Sequence, residues 1–328
     1  MSRTYEHVLS FALEQPWAVT RPMLAVIAGI IGRRVAGLSA SDDEIAAALV
    51  NRKNLPQPTG SGSVAIIPIY GVIAPRMNLM SDLSGGTTFD ALTSQLRGAI
   101  ANKAVKTIVL DIDSPGGSVA GATEFAREVM QARTKKPVIA VAQYMAASAA
   151  YWIAAAATEI VASPSAMVGS IGVYTAHDDI SEALAKLGVK RTFISAGKGK
   201  VDGNETEALS AEAEGRIQGL VDEAYGRFVG DVVKGRGQGM TADRVRNDWK
   251  ALVYGAAEAK ALGLIDSIAT LDETLARVMT SAPADARAAL ASSTPATLQE
   301  PSPATSQEPT SDAHWQNGIE AELLSIGL

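Results

Sequence analysis

The chain contains no cysteine, which excludes disulfides, thiolate nucleophiles and cysteine-ligated zinc sites together. This fits a reducing compartment. Histidine is nearly as scarce: His7, His177 and His314 lie too far apart in sequence to form an i, i+4 metal pair or to suggest a triad base. Basic blocks are missing too. The 29 Lys and Arg and 35 Asp and Glu residues are interspersed, for a net charge of −6, so neither nucleic acid nor anionic lipid is an expected partner. No hydrophobic run is long enough for a bilayer. The best, residues 23–32, offers about ten mostly apolar residues, roughly half a membrane span. Glu6, Glu14 and Pro16 precede that run and Arg33-Arg34 follow it, the wrong flanks for a secretory signal. The reading is a cytoplasmic protein with no membrane span.

What is present is apolar content of 47% over 328 residues, ample for a buried core. Residues 1–53 carry helical spacing, with Leu24, Ile27 and Ile31 on one face, and residues 54–63 (NLPQPTGSGS) have linker composition. From Val64 the pattern changes. Short β-rich runs at 64–70, 107–112, 138–142, 159–162 and 189–194 alternate with helical stretches at 88–101, 119–133, 148–157 and 178–187. Such alternation predicts an α/β domain of parallel βαβ units, in which chemistry gathers at the carboxyl ends of strands. A long amphipathic helix is expected over 211–233, with Ile217, Leu220, Val221, Ala224, Phe228 and Val232 on one face. A helix over 256–262, stopped by Gly263, and a strand over 264–268 close the domain near residue 280. Residues 281–310 are rich in Ala, Ser, Thr, Pro and Gln and cannot bury enough surface to order themselves. Trp315, Ile319, Leu323 and Ile326 then line one side of a short terminal helix.

Four segments could carry chemistry. Asp113-Ser114-Pro115-Gly116-Gly117 ends one strand, and its paired glycines let the backbone turn sharply and present N–H groups to an anion. Taken alone it is also an ordinary strand-to-helix turn. Ala146-Ala147-Ser148 follows the next strand, where small neighbours admit a substrate backbone, though an isolated Ser148 reads equally as a helix N-cap. Gly169-Ser170-Ile171-Gly172 reads by itself as a buried strand with a bulge. Gly197-Lys198-Gly199-Lys200 is a flexible loop whose lysines would ordinarily be solvated, whereas a lysine base must be desolvated.

In that order, the four segments resemble the serine peptidases of the signal peptide peptidase A type, which share the Clp protease and crotonase superfold. The family pattern runs D-S-P-G-G, A-A-S, G-S-I-G, then G-x-x-K, and the resemblance extends from about Val64 to Ala269. It implies a Clp protease/crotonase-like spiral of βαβ units with Ser148 as nucleophile. The fourth residue of the G-x-x-K loop, Lys200 rather than Lys198, is then the general base. It further implies that Ser170 orients the lysine amine, and that the N–H groups of Gly116 or Gly117 and of Ala149 form the oxyanion hole. No cofactor or metal is implied. Ala149-Ala150 depart from glycines common in the family, which bears on substrate preference.

The soluble phage and prophage branch, whose members mature viral heads, is the better match within the family. Its members begin with a helical segment containing Pro-Trp, here Gln15-Pro16-Trp17-Ala18, and often end in a low-complexity tail. The resemblance implies scaffold or capsid polypeptides as substrates and a homo-oligomer as the working form. The alternatives are a host cytoplasmic peptidase and a catalytically idle assembly module. Against the latter, Ser148 and Lys200 are both retained.

Overall fold

The computed structural model describes residues 16–20, 23, 63–76, 86–237 and 239–280. A short strand β1 (Trp17–Val19) precedes β2 (Val64–Tyr70), β3 (Ile73–Ala74), β4 (Thr87–Thr88), helix α1 (Phe89–Ala101), β5 (Thr107–Ser114) and β6 (Gly116–Ser118). Helix α2 (Ala122–Ala132), β7 (Val138–Ala147), α3 (Ala149–Ala155), β8 (Glu159–Ala162) and β9 (Met167–Gly169) follow. The chain continues through α4 (Ser181–Lys186), α5 (Ala211–Arg236), a π-helical turn (Arg244–Trp249), β10 (Val253–Gly255), α6 (Ala256–Leu262), β11 (Ser267–Ile268) and α7 (Leu271–Thr280).

The apolar runs become a seven-stranded sheet ordered β10-β9-β7-β5-β2, with β8 and β11 branching from β7. All of its pairs are parallel except β9 with β10. Both faces are covered, which is why β5 and the first half of β7 are buried almost throughout rather than alternating. Leu92 and Leu96 of α1, Phe125 and Val129 of α2, and Trp152 of α3 pack in one cluster with sheet residues such as Ile67, Leu110 and Ala140. On the other face, Val278 of α7 joins Val64, Val109, Ile139 and Val141. The α/β expectation of parallel βαβ units is met.

Strand β7 decides where the site falls. Its first half, Ile139–Ala142, pairs with β8, while Met145–Ala147 pair with β9. Its register on β5 slips between Ile112 and Ser114, after which Ala146 pairs with Ser114 and Ala147 with Gly169, so the strand stays in the sheet to its end. It delivers Ser148 toward a second, four-stranded sheet ordered β1-β6-β3-β4.

Trp152 shows how helix α5 is held against this core. Its indole is fully buried and stacks on Phe228, with centroids 4.3 Å apart at an interplanar angle of 4°. Its Nε1 donates to Asp231 Oδ2 at 3.0 Å. Truncation by Trp152→Ala removes the stack and strands a buried carboxylate, so urea unfolding should register a loss of about 3–5 kcal/mol.

Several sequence expectations need correction. Residues 17–19, placed in a helical segment, are strand, because Trp17, Ala18 and Val19 pair with Ser118, Gly117 and Gly116. The strand expected at 189–194 does not form: Val189, Phe193 and Ile194 are exposed, Ile194 almost completely, with no strand beside them. The apolar face of α5 is buried only in its later half, at Ala224, Phe228 and Val232, while Leu220 is exposed. The strand expected over 264–268 shrinks to Ser267–Ile268, and α7 and β10 were not foreseen. The remaining expectations for residues 1–53 and 281–328 lie outside the described residues.

Candidate active site

Ser148 stands between β7 and α3 with φ 57° and ψ −119°, a conformation that costs a non-glycine residue energy. A serine placed there to cap the helix would adopt extended backbone and accept from the first turn. This one makes no such bond. Its backbone N–H donates to the Gly169 carbonyl at 2.8 Å, which pins it to the G-S-I-G segment. The hydroxyl, almost fully buried, makes one long bond to the Gly172 carbonyl at 3.5 Å. Strain in the backbone and an under-used hydroxyl are what a nucleophile requires.

Ala149 opens α3, so its N–H belongs to the first turn, where the helix itself supplies no acceptor. Gly116 lies against Ser148. With φ +105°, a Cβ there would sit 2.9 Å from Ser148 Cβ and 2.2 Å from the Ala18 carbonyl oxygen. At Gly117 a Cβ would fall 1.9 Å from the Ile73 carbonyl oxygen. Both glycines are required sterically, the first by the Ala18 carbonyl and Ser148 and the second by β3. The Gly116 N–H donates to Ser114 Oγ at 3.2 Å, and that hydroxyl donates to the Gly71 carbonyl at 2.7 Å, which fixes the loop.

Ser170 is also strained, at φ 55°; among the described non-glycine residues positive φ occurs only at Ser148, Ser170 and Lys250. Its N–H donates to the Leu252 carbonyl at 2.6 Å, and the Gly172 N–H donates to its carbonyl at 2.9 Å. The turn before β10 thus braces the segment bonded to Ser148. No sequence signal marked that turn.

The structure therefore gathers Ser148, Ala149, Gly116 and the 169–172 segment, but it does not bring Lys200 to them. Lys200 is exposed on its loop, and among the described residues no hydrogen bond joins it to Ser148 or Ser170. The loop is held on α5 by ion pairs: Lys198 Nζ lies 3.3 Å from Glu212, and Arg216 pairs with Asp202. Both Lys198 and Glu212 are well exposed, so their pair contributes little.

A cavity of about 880 Å³ opens at the ends of β2, β5 and β7, with Pro115 of the glycine turn in its lining. Tyr70, Asp113, Tyr144, Met145 and Met167 line it. Below it, Asp111 is buried and accepts from the Tyr70 hydroxyl and from Gln143 Nε2, the latter at 2.6 Å. Burial pushes the Asp111 carboxyl above the usual range, and the two donors pull it only part of the way back. Burial, and then the charge of Asp111, push Asp113 up as well. A carboxyl raised in the folded state stabilises the fold below its unfolded value, and that contribution is lost as pH rises through the folded value. Relative to Asp111→Asn, wild type should lose thermal stability as pH rises from about 4 toward 7, measured as the difference in Tm. A difference that does not change with pH would show that Asp111 is not raised.

A strained, buried serine thus lies between a glycine turn and a second glycine-punctuated segment on a parallel α/β frame. Residues 130–285 match the model of Peptidase family S49. The resemblance to the signal peptide peptidase A type is borne out. Among curated proteins, the chain is 29% identical over 303 residues to the head-tail preconnector protein GP5 of Enterobacteria phage P21, covering 88% of this chain and 60% of that protein. It is 31% identical over 281 residues to capsid assembly protease C of Escherichia phage lambda, covering 81% of this chain and 63% of the phage protein. Protease 4 of Salmonella typhi is 34% identical over 223 residues, covering 68% of this chain and 35% of that enzyme. The chain thus spans about three fifths of the length of the two phage proteins. No helix among the described residues is long and apolar enough to cross a membrane.

Proposed function

We propose that this chain is a serine endopeptidase in which Ser148 attacks the peptide carbonyl and Lys200 acts as general base, processing scaffold or capsid polypeptides during phage head maturation. The observation that carries the reading is the conformation of Ser148: buried, at positive φ, free of a capping role and set against the Gly116 turn. In the reaction Lys200 takes the hydroxyl proton as the Ser148 oxygen adds to the carbonyl, then passes it to the leaving amine. Hydrolysis of the acyl-enzyme returns the serine. The N–H groups of Ala149 and of Gly116 or Gly117 hold the oxyanion, and Ser170 orients the amine.

The lysine has to be desolvated and delivered, and assembly of copies of this chain is the means proposed. The segment before Lys200 exposes Leu187, Val189, Phe193 and Ile194, and the early half of α5 exposes Leu220. Burying this apolar surface against a second copy would carry a Lys200 loop out of water and toward a Ser148.

The phage setting is favoured over a host peptidase by the extent of the likeness. The two phage proteins align over 88% and 81% of this chain, against 68% for Protease 4. Co-expression with phage capsid and scaffold proteins should yield truncated products whose masses vanish with Ser148→Ala. Intact partners in the presence of wild-type enzyme that still cleaves small peptides would leave the peptidase but remove the capsid role.

A further inference from the structure

Strand β6 carries both glycines of the turn beside the nucleophile, and both of its edges are taken. One edge is β3; the other is β1, the chain's own residues 17–19. The Thr20 N–H donates to the Pro115 carbonyl at 3.1 Å, which makes that position a hydrogen-bonded one in the antiparallel ladder. By alternation, Ala18 and Gly117 are the next such pair, so the Gly117 N–H is spent on the Ala18 carbonyl. On its other side β1 is also bonded: the Trp17 N–H donates to the Tyr174 carbonyl at 2.8 Å, and the Tyr174 N–H returns to Trp17 at 3.1 Å. Residues 17 and 18 thus bond alternately to two flanking segments, as a strand inserted between them must.

That slot is where a peptide would have to lie. The Ala18 carbonyl oxygen and Ser148 Cβ crowd the same point beside Gly116, at 2.2 Å and 2.9 Å from it. An extended substrate must set its backbone beside Ser148 and along the edge of the turn that supplies the oxyanion donors. While β1 is in place it cannot do so. We propose that β1 is a built-in inhibitory strand, and that substrates are extended polypeptides that replace it by pairing antiparallel with residues 116–118. The inference rests on Ser148 as the nucleophile. A strand of three residues, preceded by Pro16 with no N–H to extend the ladder, is short enough to be displaced. The slot it vacates takes a small side chain at the Ala18 position, which is fully buried, and a large one at the Trp17 position.

The absence of cysteine makes the test clean. Trp17 and Ser118 face each other at a non-hydrogen-bonded position of the ladder, where Cα atoms are closest and a disulfide is best accommodated. In the full chain carrying Trp17→Cys and Ser118→Cys, oxidation should slow fluorophosphonate labelling of Ser148 and hydrolysis of a quenched peptide at least tenfold, and reductant should restore both. Ala18→Pro, which removes the N–H that pairs with Gly117, should label several-fold faster than wild type. A synthetic peptide of residues 14–20 should inhibit that variant competitively. Equal labelling and cleavage in the oxidised and reduced forms would overturn the proposal, as would an Ala18→Pro variant that is folded by circular dichroism yet slower than wild type. Failure of Ser148 to label in every form, reduced and unlocked included, would instead overturn the nucleophile assignment.

Discussion

Ser148→Ala is expected to lower kcat for peptide cleavage by at least about 10³-fold, and Lys200→Ala to do the same, with the fold intact in both. The serine hydroxyl is bonded only weakly, at 3.5 Å to the Gly172 carbonyl, so its loss removes little packing or hydrogen bonding. Lys200 is exposed, so its truncation leaves no cavity in the protomer. Nucleophile and base act as a unit, and the double variant should be little worse than either single one. Lys198→Ala should retain most activity, since Lys198 faces Glu212 across an exposed pair 3.3 Å long. Circular dichroism and steady-state kinetics on the four proteins check this directly, and a dead Lys198→Ala enzyme with an active Lys200→Ala enzyme would exchange the two lysines. Because the neutral amine is the working form, activity of wild type should rise toward alkaline pH. A flat profile with chemistry limiting would remove the lysine from the role of base.

Gly117→Ala should be nearly as damaging for a different reason. Its new Cβ would meet the Ile73 carbonyl oxygen at 1.9 Å and the Ile73 nitrogen at 2.6 Å, both backbone atoms that cannot swing aside. Strand β6 must then move off β3, and the whole turn moves with it, including Gly116 against Ser148. Loss of one oxyanion donor alone typically costs about 10²–10³ in kcat. Backbone strain of this kind adds a stability loss of about 1–3 kcal/mol. Urea unfolding together with kcat and KM separates the two. An alanine variant with wild-type kcat would mean that β6 has room the structure does not show.

The frame was legible because its signals are local. Val64–Tyr70 and Glu159–Ala162 run as strands over the very residues whose β-branched content marked them, and Ala256–Leu262 stops at Gly263 as expected. Thr88 caps α1 by accepting from the Ala91 N–H at 3.3 Å, a short-range device visible in the sequence. What was not legible depends on distant partners. Trp17–Val19 has no strand pattern of its own and becomes one only because Gly116–Ser118 and Tyr174 offer ladders on either side. Residues 189–194 have the composition of a strand and find no ladder partner among the described residues, so β-propensity alone does not order them. The order of the four motifs singled out Ser148, Gly116, Gly117, Ala149 and Ser170, and the structure draws Ser148, Ala149, Gly116 and the 169–172 segment together. It could not reveal that the loop bearing Lys200 would rest on α5 through Arg216 and Asp202.

The central claim is that Ser148 is the nucleophile, and peptide mapping by mass spectrometry after fluorophosphonate treatment tests it most directly. One adduct is expected, on the peptide containing Ser148, formed slowly in Lys200→Ala and absent from Ser148→Ala. An adduct on another serine, or undiminished peptide cleavage by Ser148→Ala, would contradict it.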